Sequence, residues 1–423
     1  MTKGAIESGY DPDGVGREES SFRAWLLVGL LWVVACFNYL DRQLIITMGA
    51  PIKGELQIGD ADFGLFSSLF LWIYGLLSPF SGFLADRFDR KRIIMGSLLV
   101  WSLVTWLTGY ARTFAEMLTA RALMGISEAF YIPAAVAMIV EFHSGRTRSR
   151  ATGLHLSGAY AGAVLGGLGG WLAQNYGWRF GFQLFGLAGV AYTFLLLLAL
   201  PRPRRRDFGP GLSGRPGEKV RLGATLKALL SSRSFLLLLL TNALVGASIW
   251  TIRNWLPMFF NSELRVDLAR AGIYGTAFFN LAAFAGMLLA GWTADRWSQS
   301  NPRARSLVPA IGFCLAAPCL FGIGWAQSIP WILASIVMVG TSQGNLDSNL
   351  MPAVCNVVDS RFRASGYGLL NFVSTLTGGF MIYVGGRLKD AQVPFLTTFQ
   401  VVAGLILLAG LTLFLVKPCR NDG

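Results

Sequence analysis

Six ionisable residues interrupt the long apolar runs of this chain. They are Asp41, Arg42, Arg121, Glu128, Arg253 and Asp347. Such side chains are costly in hydrocarbon, so they usually pair with one another or line a water-filled path. The planar guanidinium of arginine binds a carboxylate through two hydrogen bonds, and a buried carboxylate takes up and releases protons. The residue types therefore predict anion binding combined with proton uptake.

The spacing of these residues predicts which of them share a helix face. Arg121 and Glu128 are seven residues apart, which is two helical turns, so both lie on one face. Asp41 and Arg42 are adjacent and point about 100° apart around a helix. They cannot both face one spot, so we expect one to line a cavity and the other to face the segment that carries Glu128.

The environment of the two carboxylates has opposing effects on their charge. Burial disfavours the ionised form of Asp41 and Glu128, whereas a nearby arginine favours it. That balance suits a group that exchanges a proton in every working cycle, which predicts Asp41 and Glu128 as proton-coupling residues. The alternative interpretation is a structural ion-pair network between the two segments, and the residues alone leave both open.

Composition places the chain in a membrane. Hydrophobic residues make up 53% of it and charged residues 14%, against roughly 25% charged residues in soluble domains. The mean hydropathy is +0.52. Apolar runs of about 20 residues, the length that spans a bilayer, recur along the chain, and a large soluble core does not need them. No nucleophile–base set or metal motif stands out, so we expect neither an enzyme nor a cofactor.

Twelve apolar segments are long enough to cross a hydrocarbon core of about 30 Å as helices. They lie at residues 24–50, 61–85, 92–110, 114–140, 149–173, 178–200, 233–260, 270–293, 306–327, 331–356, 364–386 and 394–416. Backbone polar groups in lipid must be satisfied within each segment, which requires helices. The sequence predicts an all-α membrane protein with twelve transmembrane helices and both termini on one side.

The distribution of basic residues predicts which side that is. Of the 36 Lys and Arg residues, 26 fall in the segments on the side of the termini and seven in the opposite loops. Cytoplasmic segments carry such an excess, so we expect both termini in the cytoplasm. The same pattern explains most of the net charge of +13 without a nucleic-acid partner. Long loops with glycosylation sites are lacking, which favours a bacterial inner membrane.

Two motifs recur and divide the chain into halves. GFLADR at 82–87 returns as GWTADR 209 residues later, and RSRATG at 148–153 returns as RFRASG 213 residues later. Internal repeats with a binding site between them are typical of secondary transporters. The predicted units are a tail at 1–23, a six-helix bundle at 24–200, a cytoplasmic linker at 201–232, a second bundle at 233–416 and a tail at 417–423.

The stretch GFLADRFDRKR at 82–92 resembles the loop signature of the major facilitator superfamily. The resemblance implies two pseudo-symmetric six-helix bundles and a gating motif that latches the halves on the cytoplasmic side. The residues of that motif and its repeat are Gly82, Asp86, Arg87, Arg90, Asp295 and Arg296. Asp89 departs from the pattern, because the family usually has a second glycine there.

Within that superfamily, NYLDR at 38–42 and RALMGISEA at 121–129 resemble the anion:cation symporters, which include sugar-acid permeases and sialin-like carriers. The resemblance implies that Asp41 and Glu128 couple protons, that Arg42 binds the substrate carboxylate and that Arg121 modulates Glu128. Further candidate substrate-binding residues are Tyr39, Tyr74, Tyr160, Arg253 and Asn371. NYLDR also occurs in spinster-like lysolipid and sphingolipid carriers, so that substrate class is the alternative.

We therefore expect a monomeric symporter for a small organic anion and protons that works by alternating access. A lysolipid carrier is the second hypothesis, and the polarity of the central cavity discriminates between the two. A non-transporting sensor would need a long signalling domain, which the segment pattern does not contain.

Overall fold

The computed structural model describes residues 21–143, 145–201, 222–323, 328–359 and 362–417, and every regular element in these ranges is a helix. The helices are α1 Ser21–Thr47, α2 Gly49–Leu56, α3 Asp60–Arg87, α4 Arg90–Thr108, α5 Phe114–Glu128, α6 Tyr131–Phe142, α7 Gly145–Leu165, α8 Leu168–Tyr176, α9 Trp178–Ala199, α10 Leu222–Leu230, α11 Arg233–Ser262, α12 Leu268–Ser298, α13 Ala304–Phe321, α14 Ile329–Val357, α15 Arg363–Asp390 and α16 Phe395–Phe414.

Nine stretches within the described residues are long and apolar enough to cross a membrane. The predicted spans at 92–110, 149–173 and 331–356 are also helical, as α4, α7 with α8, and α14, but they are not among the nine. Each contains charged or polar residues, such as RKR at the start of α4 and SQGNLDSN within α14. An all-helical membrane protein is thus what the structure shows, and the number twelve stays a prediction.

Three predicted spans contain breaks within or near them, and local chemistry explains two of these breaks. The run at 114–140 divides at Ala129, because the ring of Pro133 clashes with the carbonyl four residues earlier. The run at 149–173 divides after Leu165. There the carbonyl of Gly166 accepts from the N–H of Gly169 at 3.0 Å, which is the tighter 3₁₀-type pattern, and also from Thr47 Oγ1 at 3.1 Å. The run at 24–50 ends as α1 and continues as α2.

Two predicted unit boundaries differ from the helix bounds. Helix α1 already begins at Ser21, inside the stretch predicted as a tail. Residues 222–230 of the predicted linker form α10, and residues 202–221 lie outside the described part of the chain.

Close packing of α1 against α7 depends on glycine. A Cβ atom on Gly162 would overlap the backbone carbonyl of Cys36, whereas one on Gly153 of the same helix would meet nothing. Overpacking of this kind costs roughly 1 to 3 kcal/mol. We expect Gly162→Val to lower the melting temperature of the purified protein clearly and Gly153→Val to leave it unchanged. Equal melting temperatures for the two variants would contradict this packing.

The two halves contact each other most closely at one end of the bundle. At that end, which we call the loop side, the backbone N–H groups of Asp60 and Ala61 in α3 donate to the Asp390 carboxylate at 2.7 and 2.9 Å. There too, the N–H of Ala269 donates to Gln174 Oε1 at 3.1 Å. Glycine-mediated contacts between α8 and α12 add to this closure.

The opposite end, which we call the termini side, is where α1 begins beside the end of α6, since His143 Nε2 lies 3.2 Å from the carbonyl of Ala24. There the paired helices α3 and α15 expose large side chains. Leu76 and Phe80 on α3 and Tyr367 on α15 are exposed.

Candidate functional site

A buried ion pair joins α1 to α5 in the interior of the first half. Arg42 Nε donates to Glu128 Oε2 at 2.6 Å. Glu128 is fully buried, and Arg42 is 8% exposed. Breaking such a pair by removing one partner is strongly destabilising, because the other charge is left uncompensated. Glu128 is the last residue of α5, so the break at Ala129 fixes where its side chain points.

Three aromatic rings surround the Arg42 guanidinium. Its central carbon lies 4.8 Å from the ring centre of Tyr39, 4.9 Å from that of Phe70 and 4.6 Å from that of Tyr74. Each such contact contributes about 0.5 to 2 kcal/mol, depending on desolvation. The Nη2 atom has no hydrogen-bond partner among the described residues. The three rings restrict the orientation of the guanidinium, and its Nη2 atom has hydrogens that no described residue accepts.

Asp41 points away from Arg42, as the helical geometry predicts. Its Oδ2 accepts a hydrogen bond from Thr105 of α4 at 3.3 Å, and its Oδ1 lacks a partner within the described chain. The expectation that cavity contact and contact with Glu128 fall to different residues is not met, because Arg42 makes both. The guanidinium of Arg42 pairs with Glu128, and Arg42 is also one of the residues that line the cavity.

Arg121 shares the interior of the first half with Glu128. It is 2% exposed, and its guanidinium lies 5.8 Å from the ring centre of Phe182. Its Nε and Nη2 atoms have no hydrogen-bond partner in the described part of the chain. A buried cation with free donors attracts an anion, and Arg121 is one of the residues that line the cavity.

A central cavity lies between the two halves. It is lined by Tyr39, Arg42, Gln43, Ile45, Ile46, Ser67, Phe70, Leu71, Arg121, Trp250, Arg253, Asn254 and Ile382. Three of these residues are arginines and none is an aspartate or glutamate. The wall of the cavity is therefore cationic, while the carboxylates of Asp41 and Glu128 lie behind it.

Helix α11 supplies the polar wall of the second half. Arg253 Nη2 donates to Asn280 Oδ1 of α12 at 2.8 Å, and its guanidinium lies between the rings of Trp250 and Phe279, at 5.6 and 5.4 Å. Its Nε has no hydrogen-bond partner among the described residues, and neither does the side-chain amide of Asn254. Asn254 is 1% exposed. Both residues thus carry unused polar atoms at the cavity.

Two of the other candidate residues lie away from the cavity wall. The Tyr160 hydroxyl of α7 donates to Asp347 Oδ2 of α14 at 2.9 Å, and Gln343 Nε2 donates to Oδ1 at 2.8 Å. The hydrogen bond between Tyr160 and Asp347 connects the two halves. Asn371 is half-buried on α15, and its backbone carbonyl accepts a hydrogen bond from Thr375. The lining of the cavity includes neither of these residues, nor Tyr74, whose ring contacts Arg42.

The gating motif is described in part. The side chains of Gly82, Asp86 and Arg87 lie outside the described part of the chain. Arg90 forms an ion pair with Glu141, and Asp295 forms one with Arg305, so each of these contacts stays within its own half.

The remaining basic member of the repeat, Arg296, lies with its guanidinium 5.8 Å from the ring centre of Trp292. Asp89, the departure from the family pattern, caps α4 by accepting from the N–H of Arg92 at 3.3 Å. The residue that replaces a glycine therefore has a local role, because an N-terminal aspartate satisfies a free backbone donor of the helix.

Sequence reasoning missed several residues of this site. Phe70, Thr105 and Asn280 contact charged residues from other helices, and nothing in their local sequence signals it. Asn254 could have been found from the sequence, because a second polar residue beside Arg253 in an apolar run is unusual.

An all-helical membrane protein with two repeated halves and a charged cavity between them is a transporter in its architecture. The chain belongs to the major facilitator superfamily: the model of that family matches residues 31–382 and 242–421.

Relatives with different names match much of the chain. The D-galactonate transporter of Escherichia coli O6:H1 is 26% identical over 90% of this chain and 93% of its own. Human protein spinster homolog 1 is 28% identical over 74% of this chain and 62% of its own. A crystal structure of a bacterial homolog to the human lysosomal transporter spinster, in an inward-facing and unoccupied conformation, matches with a TM-score of 0.80. It covers 95% of this chain and 100% of that one at 20% identity, which shows the shared fold.

Proposed function

We propose that this protein is a secondary active transporter that carries a small organic anion together with protons by alternating access. One observation carries the proposal: among the described residues, three arginines and no carboxylate line the central cavity. Arginine binds planar carboxylates with two parallel hydrogen bonds. Seven of the thirteen lining residues carry polar groups, although most of the accessible lining surface is apolar.

The Arg42–Glu128 pair gives the proposal a coupling mechanism. While Glu128 is ionised, it holds the Nε edge of Arg42. A proton on Glu128 removes that competing charge, so the guanidinium becomes available to a substrate carboxylate. Proton and anion thus bind together, and Arg42 passes from an internal carboxylate to an external one. Asp41, with one oxygen unpartnered within the described chain, is the second acid in this scheme.

The orientation follows from charge. Twelve spans with cytoplasmic termini would place the termini side at the cytoplasm. The protein would then be a monomeric carrier in a bacterial inner membrane, and alternating access would open the cavity to each side in turn.

A second candidate is transport of a lysolipid. Six of the thirteen lining residues are apolar, and human spinster homolog 1 is among the relatives. In this alternative, Arg42 or Arg253 would bind the phosphate of a headgroup.

Uptake by reconstituted protein separates the two candidates. Proteoliposomes with an inward proton gradient would be given labelled D-galactonate or labelled lysophosphatidylcholine. We expect accumulation of the acid, its loss when a protonophore collapses the gradient, and no protein-dependent movement of the lysolipid. Protein-dependent movement of the lysolipid with no acid uptake would refute the first candidate.

A further inference from the structure

The end of α8 and the end of α15 carry a third pair of repeated segments. GGWLAQ at 169–174 returns as GGRLKD at 385–390, 216 residues later. In each copy, the last residue follows the second glycine by four positions, which is about one helical turn. The polar side chains of Gln174 and Asp390 therefore occupy equivalent places in the two halves.

Each of these two side chains accepts hydrogen bonds from the first turn of a helix in the other half. Asp390 accepts from the N–H groups of Asp60 and Ala61 in α3 at 2.7 and 2.9 Å. Gln174 Oε1 accepts from the N–H of Ala269 in α12 at 3.1 Å. Ala269 follows Ala61 by 208 residues, close to the offset of 209 at which the first repeated motif recurs. The two contacts are therefore related by the internal repeat.

The glycine one turn before each acceptor lets the two helices touch. A Cβ atom on Gly170 of α8 would overlap the backbone carbonyl of Leu268, the first residue of α12. A Cβ atom on Gly386 of α15 would overlap the backbone carbonyl of Asp60, the first residue of α3. The same arrangement of a close helix contact and a polar acceptor thus joins the halves twice on the loop side.

The two contacts differ in charge, and local capping explains the difference. The first N–H groups of a helix have no partner within it, and a side chain just before the helix often accepts from them. Helix α12 has such a side chain, because Asp267 accepts from the N–H of Arg270 at 3.0 Å. Helix α3 follows Gly59, which has no side chain, and a Cβ atom there would lie 3.1 Å from both carboxylate oxygens of Asp390. The second half therefore supplies the cap that α3 lacks.

We propose that Asp390 and Gln174 form a loop-side gate in which each half caps a helix of the other, and that Asp390 is the stronger of the two closures. The inference rests on the alternating access of the proposed function, because the halves must separate on the loop side for the cavity to open there. A carboxylate binds a helix N-terminus more strongly than a neutral amide does. The Asp60 carboxylate pairs with Lys53, which compensates the second negative charge at this contact.

Distances between two spin labels measure the opening of this gate. The labels are attached to cysteines at Gly54 of α2 and at Ser328 before α14, which are exposed residues of different halves. The five native cysteines are first replaced by alanine. We expect Asp390→Ala to raise the ratio of long to short distances on the order of 10-fold, because two hydrogen bonds to a charged group are lost. Gln174→Ala, which loses one neutral bond, should raise it about 3-fold.

A variant at Gly59 separates a gate from a cap that only stabilises α3. Gly59→Asp gives α3 an N-terminal cap of its own, so in the Asp390→Ala protein it should restore any melting temperature that was lost. It does not restore a bond between the halves, so the ratio of long to short distances should stay raised. Glu263→Gln is the matched control, because that carboxylate pairs with Lys389 within the second half and its loss should leave the ratio unchanged.

The outcomes distinguish the gate from the proposed function. Ratios that stay at the wild-type value in both Asp390→Ala and Gln174→Ala would overturn the gate while anion transport stands. An equal rise in Glu263→Gln would also overturn it, and so would a return to the wild-type ratio when Gly59→Asp is added to Asp390→Ala. Raised ratios in the two gate variants, together with no D-galactonate uptake by the wild-type protein, would support the gate and overturn the proposed function.

Discussion

Replacement of Arg42 by glutamine is expected to abolish anion uptake. The Arg42 guanidinium pairs with Glu128 and contacts three aromatic rings, and Arg42 lines the cavity. Loss of one partner from a buried, hydrogen-bonded charge pair costs about 2 to 5 kcal/mol, which is a reduction of at least ~30-fold in binding. The measurement is initial uptake of labelled D-galactonate into proteoliposomes, together with the thermal shift that the acid produces.

Two further variants show whether the loss is specific. Arg42→Lys keeps the charge but not the planar fork, so it should retain weak binding and little transport. Arg179→Gln removes an arginine that pairs with Glu55 outside the cavity, so it should transport normally. The melting temperature of each variant is measured to establish whether the variant is folded. Uptake by Arg42→Gln at the rate of the control would mean that the anion binds elsewhere.

Much of the scaffold was predictable because lipid imposes simple rules. A span needs a long apolar run, so helices such as α11 and α16 were visible as runs at 233–260 and 394–416. Interruptions were less visible, since they depend on single contacts. At Gly166 the carbonyl accepts from the N–H of Gly169 and also from Thr47, a residue in a distant part of the chain. Pro133 was apparent in the sequence, yet its effect on Ala129 was not anticipated.

The candidate site, like the scaffold, has features that the sequence predicts and features that it does not. Helical geometry predicted that Asp41 and Arg42 diverge, and their side chains do so. The contacts of Phe70 with Arg42 and of Thr105 with Asp41 could not be predicted, because they depend on how α3 and α4 pack against α1. Tyr160 was expected at the substrate, but its hydroxyl reaches Asp347 across the cleft. Sequence periodicity specifies the face of a helix but not the neighbour that covers it.

The repeat accounts for a symmetric scaffold but not for the charged residues of the site. Two halves that repeat the same packing motifs form bundles of one kind, as in other transporters with internal repeats. In the first half, Glu128 is paired to a cavity arginine. The residue 211 positions after Glu128 is Val339, so the second half has no acid at that place. In the proposed cycle, proton exchange would therefore belong to the first half.

The variant Glu128→Gln is expected to separate anion exchange from proton coupling. Glutamine has the shape of the protonated acid and is permanently neutral, so Arg42 stays available to the substrate at every pH. A pH gradient of about 1 unit supplies ~1.4 kcal/mol per proton, which is tenfold accumulation for each coupled proton. Wild-type vesicles should reach that accumulation, whereas the variant should only equalise the concentrations inside and outside. Counterflow of labelled against unlabelled D-galactonate should persist.

Asp41→Asn and Glu263→Gln complete this experiment. Asp41 has no ion pair among the described residues, so its variant reports whether a second acid shares the coupling. Glu263 pairs with Lys389 away from the cavity and the gating motif, and its variant should accumulate the acid as the wild-type protein does. Undiminished accumulation by Glu128→Gln would show that Glu128 is a structural partner of Arg42 and that the proton travels by another residue. Loss of counterflow in Glu128→Gln would instead show that the carboxylate is needed to keep Arg42 in place, which is a positional role without coupling.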